Sequence, residues 1–156
     1  MSQAQNAMFD PEAFLDVTLS EPTEKREVLP VGEYTGVLGE AKSRAWTGKA
    51  DSSKSGIALD IPISIDVPAD LQASKELPAT LTLKDSIMLD LTENGLVDNS
   101  KGKNNRLRMY REAVNMNNAG DVFSPRKLQG QVVTVRVSHE VYNDNLVERV
   151  AGVTRA

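Results

Sequence analysis

The chain has 156 residues, enough for one domain and an extension, and 40% of them are hydrophobic but only 4% aromatic, so its core must rest on Val, Ile and Leu. It contains no cysteine, which excludes disulfides and cysteine-ligated zinc and suits a reducing compartment. The net charge of −4 argues against a polyanionic partner only until its distribution is read: residues 1–33 hold seven acids against Lys25 and Arg26, a balance of −5, and residues 34–156 sum to +1.

Residues 1–30 read as an acidic N-terminal arm. "MSQAQNAMFD" lacks the basic and apolar regions of a secretory signal, and no apolar run approaches the roughly 20 residues of a membrane span. A soluble cytoplasmic protein is therefore expected. A short helix is expected after Asp10–Pro11, since proline is tolerated in a first helical turn. Phe9, Phe14, Leu15 and Leu19 give it residues to dock with, and Pro22 and Pro30 separate it from the rest of the chain.

From Val31 the pattern turns to β. "VGEYTGVLGEAKSRAW" alternates, and its glycines predict strong bending or a bulge. "SRAWTGKADSSKSG", residues 43–56, reads as a polar Gly/Ser-rich loop holding the chain's single tryptophan, Trp46. "IALDIPISIDV" puts Ile57, Leu59, Ile61, Ile63, Ile65 and Val67 on one face, with Pro62 opposite, marking an edge-like strand. A polar connection, 68–78, leads to a third strand in "TLTLKDSIMLDL", and "TENGLVDNSKGKN" is turn-rich. Residues 105–117 predict the one core helix, with Leu107, Tyr110 and Val114 on its apolar face and Asn104 or Asn105 as N-cap. "QVVTVRVSHEV" and "LVERVAGVTRA" are two final strands joined by a compact turn, "YNDN".

The order strand, strand, strand, helix, strand, strand is that of an OB-fold, so residues 31–156 are expected to form a mainly β, five-stranded Greek-key barrel with one helix between strands 3 and 4. Such barrels bind oligonucleotides on the face of strands 2 and 3, between the first and last strand-connecting loops. Here those loops are "WTGKADSSKSG" and "YNDN".

An unpaired nucleic-acid strand calls for flat rings for its bases and cations for its phosphates. Trp46 supplies such a ring, and Lys42, Arg44, Lys49 and Lys54 supply cations beside it. The competing reading makes the indole a lid on the barrel end and the lysines a solvated loop. Tyr142 in the last loop is a second stacking candidate, or a hairpin packing residue. Tyr34 reads as structural. "KGKNNRLRMYR" carries Lys101, Lys103, Arg106, Arg108 and Arg111 with no acid. They form either the solvated face of a helix start or a second phosphate track, with Arg108 and Arg111 one turn apart.

Signs of catalysis are missing. His139 is the chain's one histidine and sits on an alternating strand. "DLTENGLVDN" lacks the spacing and closing glutamate of a calcium loop. "TGKAD" lacks the features of a phosphate-binding Walker loop. No catalytic residue, metal or cofactor is expected.

"LPVGEYTGVLGEAKSRAWTGK…SGIALDIPISID" resembles the start of a group of small tailed-phage proteins, in which a P-x-G-x-Y strand opens the domain and a T-G-K loop comes after it. "IMLDLTENGLVDNSKGKNNRLRMYREAVNMNNAG…FSPRKLQGQVVTVRVSHEVYND…VERVAGVTR" is similar to the same group's second half. The likeness spans residues 28–156. Its members look like OB-fold single-stranded-DNA-binding proteins of phage replication and recombination. The resemblance implies a sequence-tolerant protein that coats single-stranded DNA in the host cytoplasm. It implies phage replication or recombination proteins as further partners. Phe9 and Phe14 point to an arm that docks on a neighbouring subunit and links protomers as a homo-oligomer, the alternatives being an arm that competes with phosphates for the basic patches or a solvated tail. The alternative is a phage structural or host-interaction protein built on a small barrel. The chain ends in "GVTRA" rather than in the acidic tail by which bacterial single-strand-binding proteins recruit partners.

Overall fold

The computed structural model of the chain describes Glu12, residues 25–51 and residues 54–156. The helix expected after Asp10–Pro11 and the docking role of Phe9, Phe14, Leu15 and Leu19 lie outside the described residues. Six strands form one antiparallel sheet: β1 (Gly32–Leu38), β2 (Lys42–Thr47), β3 (Ser55–Asp66), β4 (Thr80–Met88), β5 (Val132–Tyr142) and β6 (Asn145–Arg155). Two short helices, α1 (Ala69–Ser74) and α2 (Asn105–Ala113), and a 3₁₀ turn (Pro125–Leu128) join them.

Period-two alternation sets the core. Leu59, Ile61, Ile63 and Ile65 of β3 point inward with Leu81, Leu83 and Ile87 of β4 and Val133, Val135 and Val137 of β5. The core is aliphatic, with Tyr34 and Tyr110 as its buried aromatic residues.

The first predicted strand is two strands. β1 pairs with β3 through Leu38↔Ile63, and β2 resumes at Lys42↔Asp60, so residues 39–41 stand against residues 61–62. One extra residue on one side is a bulge, and it kinks the strand. Gly39 sits in the kink. Its N–H donates to the Pro62 carbonyl at 2.7 Å, and a Cβ there would come within 2.8 Å of Pro62 Cγ.

The same bulge corrects the expectation for Pro62. β3 is not an edge strand: it holds β4 along one side and β1 and β2 in succession along the other. In an antiparallel strand the N–H and C=O of one residue point to the same side. The Pro62 carbonyl points at Gly39, so its missing N–H falls at the bulge, where the ladder is already interrupted. The predicted loop 43–56 is corrected too. Ser43–Thr47 and Ser55–Gly56 are laddered, so half of the predicted loop is strand. The polar connection after β3 contains α1, which is too short to show an apolar stripe and has no buried residue.

β1 pairs with β5 and β5 with β6, giving the lateral order β4, β3, β1/β2, β5, β6. No ladder joins β4 to β6, so the expected closed barrel is a six-stranded sheet whose end strands meet without pairing. The β5–β6 hairpin turns as predicted, through Asn143 (φ 48°) and Asp144 (φ 60°), the left-handed pair of a two-residue turn.

α2 covers the gap between β4 and β6. It ends at Ala113 rather than Asn117, burying Leu107, Tyr110 and Ala113. Asp85 occupies an inward position of β4 and is 8% exposed. Arg106 Nε donates to its Oδ2 at 2.9 Å, and the Tyr110 hydroxyl donates to the same oxygen at 2.7 Å. Arg106 Nη2 reaches across to the Val150 carbonyl of β6 at 2.6 Å. Met109 Sδ accepts from Val153 N–H of β6 at 3.4 Å. Burial, and then the Asp85 carboxylate, push the Tyr110 hydroxyl far above its usual pKa, so it stays a donor.

The expected boundary at residue 30 also moves. Leu29 is fully buried in the core. Glu148 of β6 accepts from Arg26 through both oxygens (2.6 and 3.1 Å) and from Leu29 N–H at 2.9 Å. His139 Nε2 lies 2.7 Å from the Leu29 carbonyl, and Tyr34 donates to the Pro30 carbonyl at 2.6 Å. Residues 25–30 are thus part of the folded body.

Two outcomes are expected. Asp85→Ala strands the Arg106 guanidinium and should cost about 3 kcal/mol, the low end for breaking a buried pair, while Tyr110→Phe should cost about 1.5 kcal/mol. Denaturant unfolding checks both, and a loss under about 0.5 kcal/mol in each would show that this contact does not hold the helix. Burial pushes the Glu148 carboxyl up, but Arg26 and the Leu29 N–H outweigh it and hold the pKa below the usual range. A depressed folded pKa gives stability that is present above the unfolded value of about 4.3 and lost as pH falls through the folded value. The melting temperature of Glu148→Gln should therefore lie below wild type at pH 7 and converge with it in acid. A constant gap across that window would assign the difference to packing.

Candidate nucleic-acid interface

Alternation along β2 puts Lys42, Arg44 and Trp46 on one face, opposite Asp60, Ala58 and Gly56 of β3. The odd-numbered residues of β3 fill the core, so this face is the outer one. β4 extends it with Lys84, Ser86 and Met88, which stand opposite Pro62, Asp60 and Ala58. These three were missed in the sequence, although the buried alternation Leu81, Leu83, Asp85, Ile87 fixes their outward parity. Met88 is 57% exposed.

Gly56 decides the position of the indole. A Cβ built on Gly56 would lie 2.9 Å from Trp46 Nε1 and 3.0 Å from Cε2 and Cζ2. The ring therefore lies across the bare backbone of its cross-strand partner, an arrangement in which an aromatic covers a strand glycine. Contact with Gly56 covers one side of the half-buried ring. Its Nε1 is shielded from solvent and has no hydrogen-bond partner among the described residues. The competing reading of Trp46 as a lid on the barrel end is not what is found, because the ring packs on the outer side of the sheet.

Beside the ring, Arg44 Nε donates to Asp60 Oδ2 at 2.9 Å, and the Ser86 hydroxyl donates to Asp60 Oδ1 at 2.6 Å. The Ser86 bond, with Arg44 behind it, holds the Asp60 carboxyl below the usual range. Arg44 is thereby aimed along the face. Lys49 and Lys54 are exposed at the hairpin turn, closed by Gly48 N–H to the Lys54 carbonyl at 2.8 Å.

The second predicted group divides. Lys101, Lys103, Arg108 and Arg111 line one concavity of about 250 Å³ at the start of α2. Arg106 does not join them, since its guanidinium is committed to Asp85 and Val150. Asn104 does not cap α2 with its side chain. Its Oδ1 accepts from Asp90 N–H, and its Nδ2 donates to the Asp90 and Asp98 carbonyls, at 2.8–2.9 Å. These bonds fix the loop from 90 to 104 onto the end of β4.

Register places the groups. Leu89 N–H bonds the Ile57 carbonyl, so the basic concavity and the Trp46 hairpin share one end of the sheet. β5 runs from Val132, opposite Val37, to Val137, opposite Gly32, and then onward, so Tyr142 lies at the other end. Tyr142 is 66% exposed. Among the described residues no group of His, Cys, Asp or Glu could hold a metal ion, and no helix is long and apolar enough to cross a membrane. Neither protein-family models nor curated proteins give a match to the chain.

With one tryptophan in the chain, its emission reports this site alone. Gly56→Val should lift the ring off the strand and shift the emission to longer wavelength with the sheet intact. An unchanged emission maximum would mean that the indole does not rest on residue 56.

Proposed function

We propose that the protein binds single-stranded DNA, without sequence preference, on the outer face of β2, β3 and β4. The observation that carries this is the Trp46 ring held across Gly56, with Lys42, Arg44 and Lys84 on the same face. A flat ring beside cations fits any base and its phosphate, and stacking contributes about 1–3 kcal/mol per base. Counting β1 and β2 as one kinked strand, the order and pairing agree with an OB-fold, with β3 and β4 as its usual binding face and α2 in the usual helix position. The fold is thus read as an OB-fold left open between its third and fifth strands. The resemblance of residues 28–156 to the phage single-stranded-DNA-binding group agrees with this reading. It implies a role in coating DNA during phage replication or recombination within the host cytoplasm, with replication or recombination proteins as partners and no catalytic step.

One observation favours the second reading, a phage structural or host-interaction protein. The β5–β6 tip exposes Val141 (72%), Tyr142 (66%) and Leu146 (50%), and Val141 stands directly opposite Leu146. Apolar residues grouped at a tip suit a protein contact.

Titration with dT-oligonucleotides, followed by tryptophan emission at low and moderate salt, separates the two. DNA binding predicts quenching and an affinity that falls with salt. Trp46→Ala should cost about 1–3 kcal/mol of binding with folding unchanged. A folded protein that gives neither quenching nor an anisotropy change at low salt would leave the interaction reading in place.

A further inference from the structure

We propose that the concavity at the start of α2 is a phosphate-binding site, filled by backbone phosphates of the strand that stacks on Trp46. This rests on the DNA-binding reading for the source of the phosphate, and on the concavity itself for the chemistry. Lys101, Lys103, Arg108 and Arg111 line it, and among the described residues no acidic side chain does. Four cations around about 250 Å³ repel one another, and an anion among them removes that cost.

The acids of the adjoining loop already have hydrogen-bond donors of their own. Asp90 Oδ2 accepts from Asn104 N–H at 2.9 Å, and Asp98 Oδ1 accepts from Ser100 N–H and its hydroxyl at 2.9 and 2.6 Å. Both carboxylates are thereby engaged by the loop's own backbone and by Ser100. Lys101 and Lys103 form no ion pair among the described residues. Arg108 has, among the described residues, only Glu112 at 3.7 Å as an ion-pair partner, an exposed pair that holds weakly.

The cations are also held in place. Arg111 lies 5.0 Å from the Phe123 ring centroid and donates to the Met116 carbonyl at 3.2 Å. Gly102 takes the left-handed conformation, φ 84°, in the turn closed by Lys103 N–H to the Ser100 carbonyl. That turn sets Lys101 and Lys103 on either side of the glycine. The location suits a continuous track. Met88 ends the outer face of β4, and Asp90, bonded to Asn104, is two residues further on, about 7 Å of extended chain.

The test uses the full chain and the variant Lys101→Gln, Lys103→Gln, Arg108→Gln, all exposed or partly exposed positions. Two oligonucleotides are titrated, of about 4 and about 16 dT residues, the limits of OB-fold site sizes. Each lost phosphate contact lowers the salt slope by about 0.7. The slope for the longer strand should fall by about 2 in the triple variant, while quenching by the short one is unchanged. Lys101→Gln alone should lower it by about 0.7, which keeps the test decisive if the triple variant folds poorly. An unchanged slope, with Trp46 still quenched and no effect of inorganic pyrophosphate on the melting temperature, overturns the phosphate site and leaves the stacking face standing. A reduced slope without quenching of either strand keeps the phosphate site and sinks the stacking face. Inorganic pyrophosphate separates the sources. If it raises the melting temperature of the wild type but not of the variant while the DNA slope is unchanged, the strand is overturned as the source of the phosphate.

Discussion

β4 and β6 face each other without a ladder, and the Arg106 guanidinium ties them, one nitrogen on the Asp85 carboxylate and another on the Val150 carbonyl. A sheet edge left bare exposes unpaired backbone groups, and a covering helix is one way to satisfy them. Here α2 does so with side chains: Arg106 for Val150 and Met109 for Val153. The carboxylate at the centre of this contact sits where the alternation of β4 calls for an apolar residue. It is stable there because Arg106 and Tyr110 both reach it, and the high pKa of the tyrosine keeps its proton available. Once Arg106 is fixed, the start of α2 is fixed. The loop from 90 to 104 is then held between β4 and α2, with Asn104 as its link to Asp90. The basic concavity owes its shape to a contact in which none of its own cations takes part.

The second constraint is the kink at residues 39–41. It lets one stretch of chain serve the body of the sheet as β1 and then stand out as β2. Lys42–Ala45 and Thr47 are exposed, so the β2 end of the hairpin has both faces open. Such a ribbon has few buried contacts and is the part of the sheet with least to lose by moving. Trp46 stiffens it locally by covering Gly56. The ring is thereby held against the strand on the least buried part of the sheet.

Much of this was legible in the sequence, and the rest was not for physical reasons. Alternation of Ile and Leu in residues 57–67 and 80–88 gave the strands and their buried faces, because parity alone decides which side chain faces the core. The Asn143–Asp144 turn was legible because few residues accept two successive left-handed conformations. Pro62 misled, since its local rule concerns an unpaired edge and the bulge opposite it lies 21 residues or more away in sequence, at residues 39–41. Arg106 read as one of five equivalent bases in "KGKNNRLRMYR". Only the position of α2 over the gap separates it from Lys101, Lys103, Arg108 and Arg111. Asp85 carried a signal that parity exposes, an acid in phase with Leu81, Leu83 and Ile87. The absence of a ladder between β4 and β6 has no local signature, because it depends on how far the whole sheet curls.

An acidic chain can still present exposed cations, because its charge is unevenly distributed along the sequence. Residues 1–24 hold five acids and no base, a balance of −5, so residues 25–156 carry the remaining +1 of the total of −4. Within the body, the Asp85 charge is matched by Arg106, that of Asp60 by Arg44 and that of Glu148 by Arg26. Lys42, Lys84, Lys101 and Lys103 form no ion pair among the described residues and lie at or near the proposed DNA track. Lys25 bonds Asn145 and Arg26 bonds Glu148, so the chain enters the fold beside the β5–β6 hairpin. That hairpin is at the opposite end of the sheet from Trp46 and the basic concavity. The pair between Arg26 and Glu148 therefore does more than anchor Leu29 in the core. It also fixes the point at which the chain enters the fold, at the end of the sheet away from Trp46.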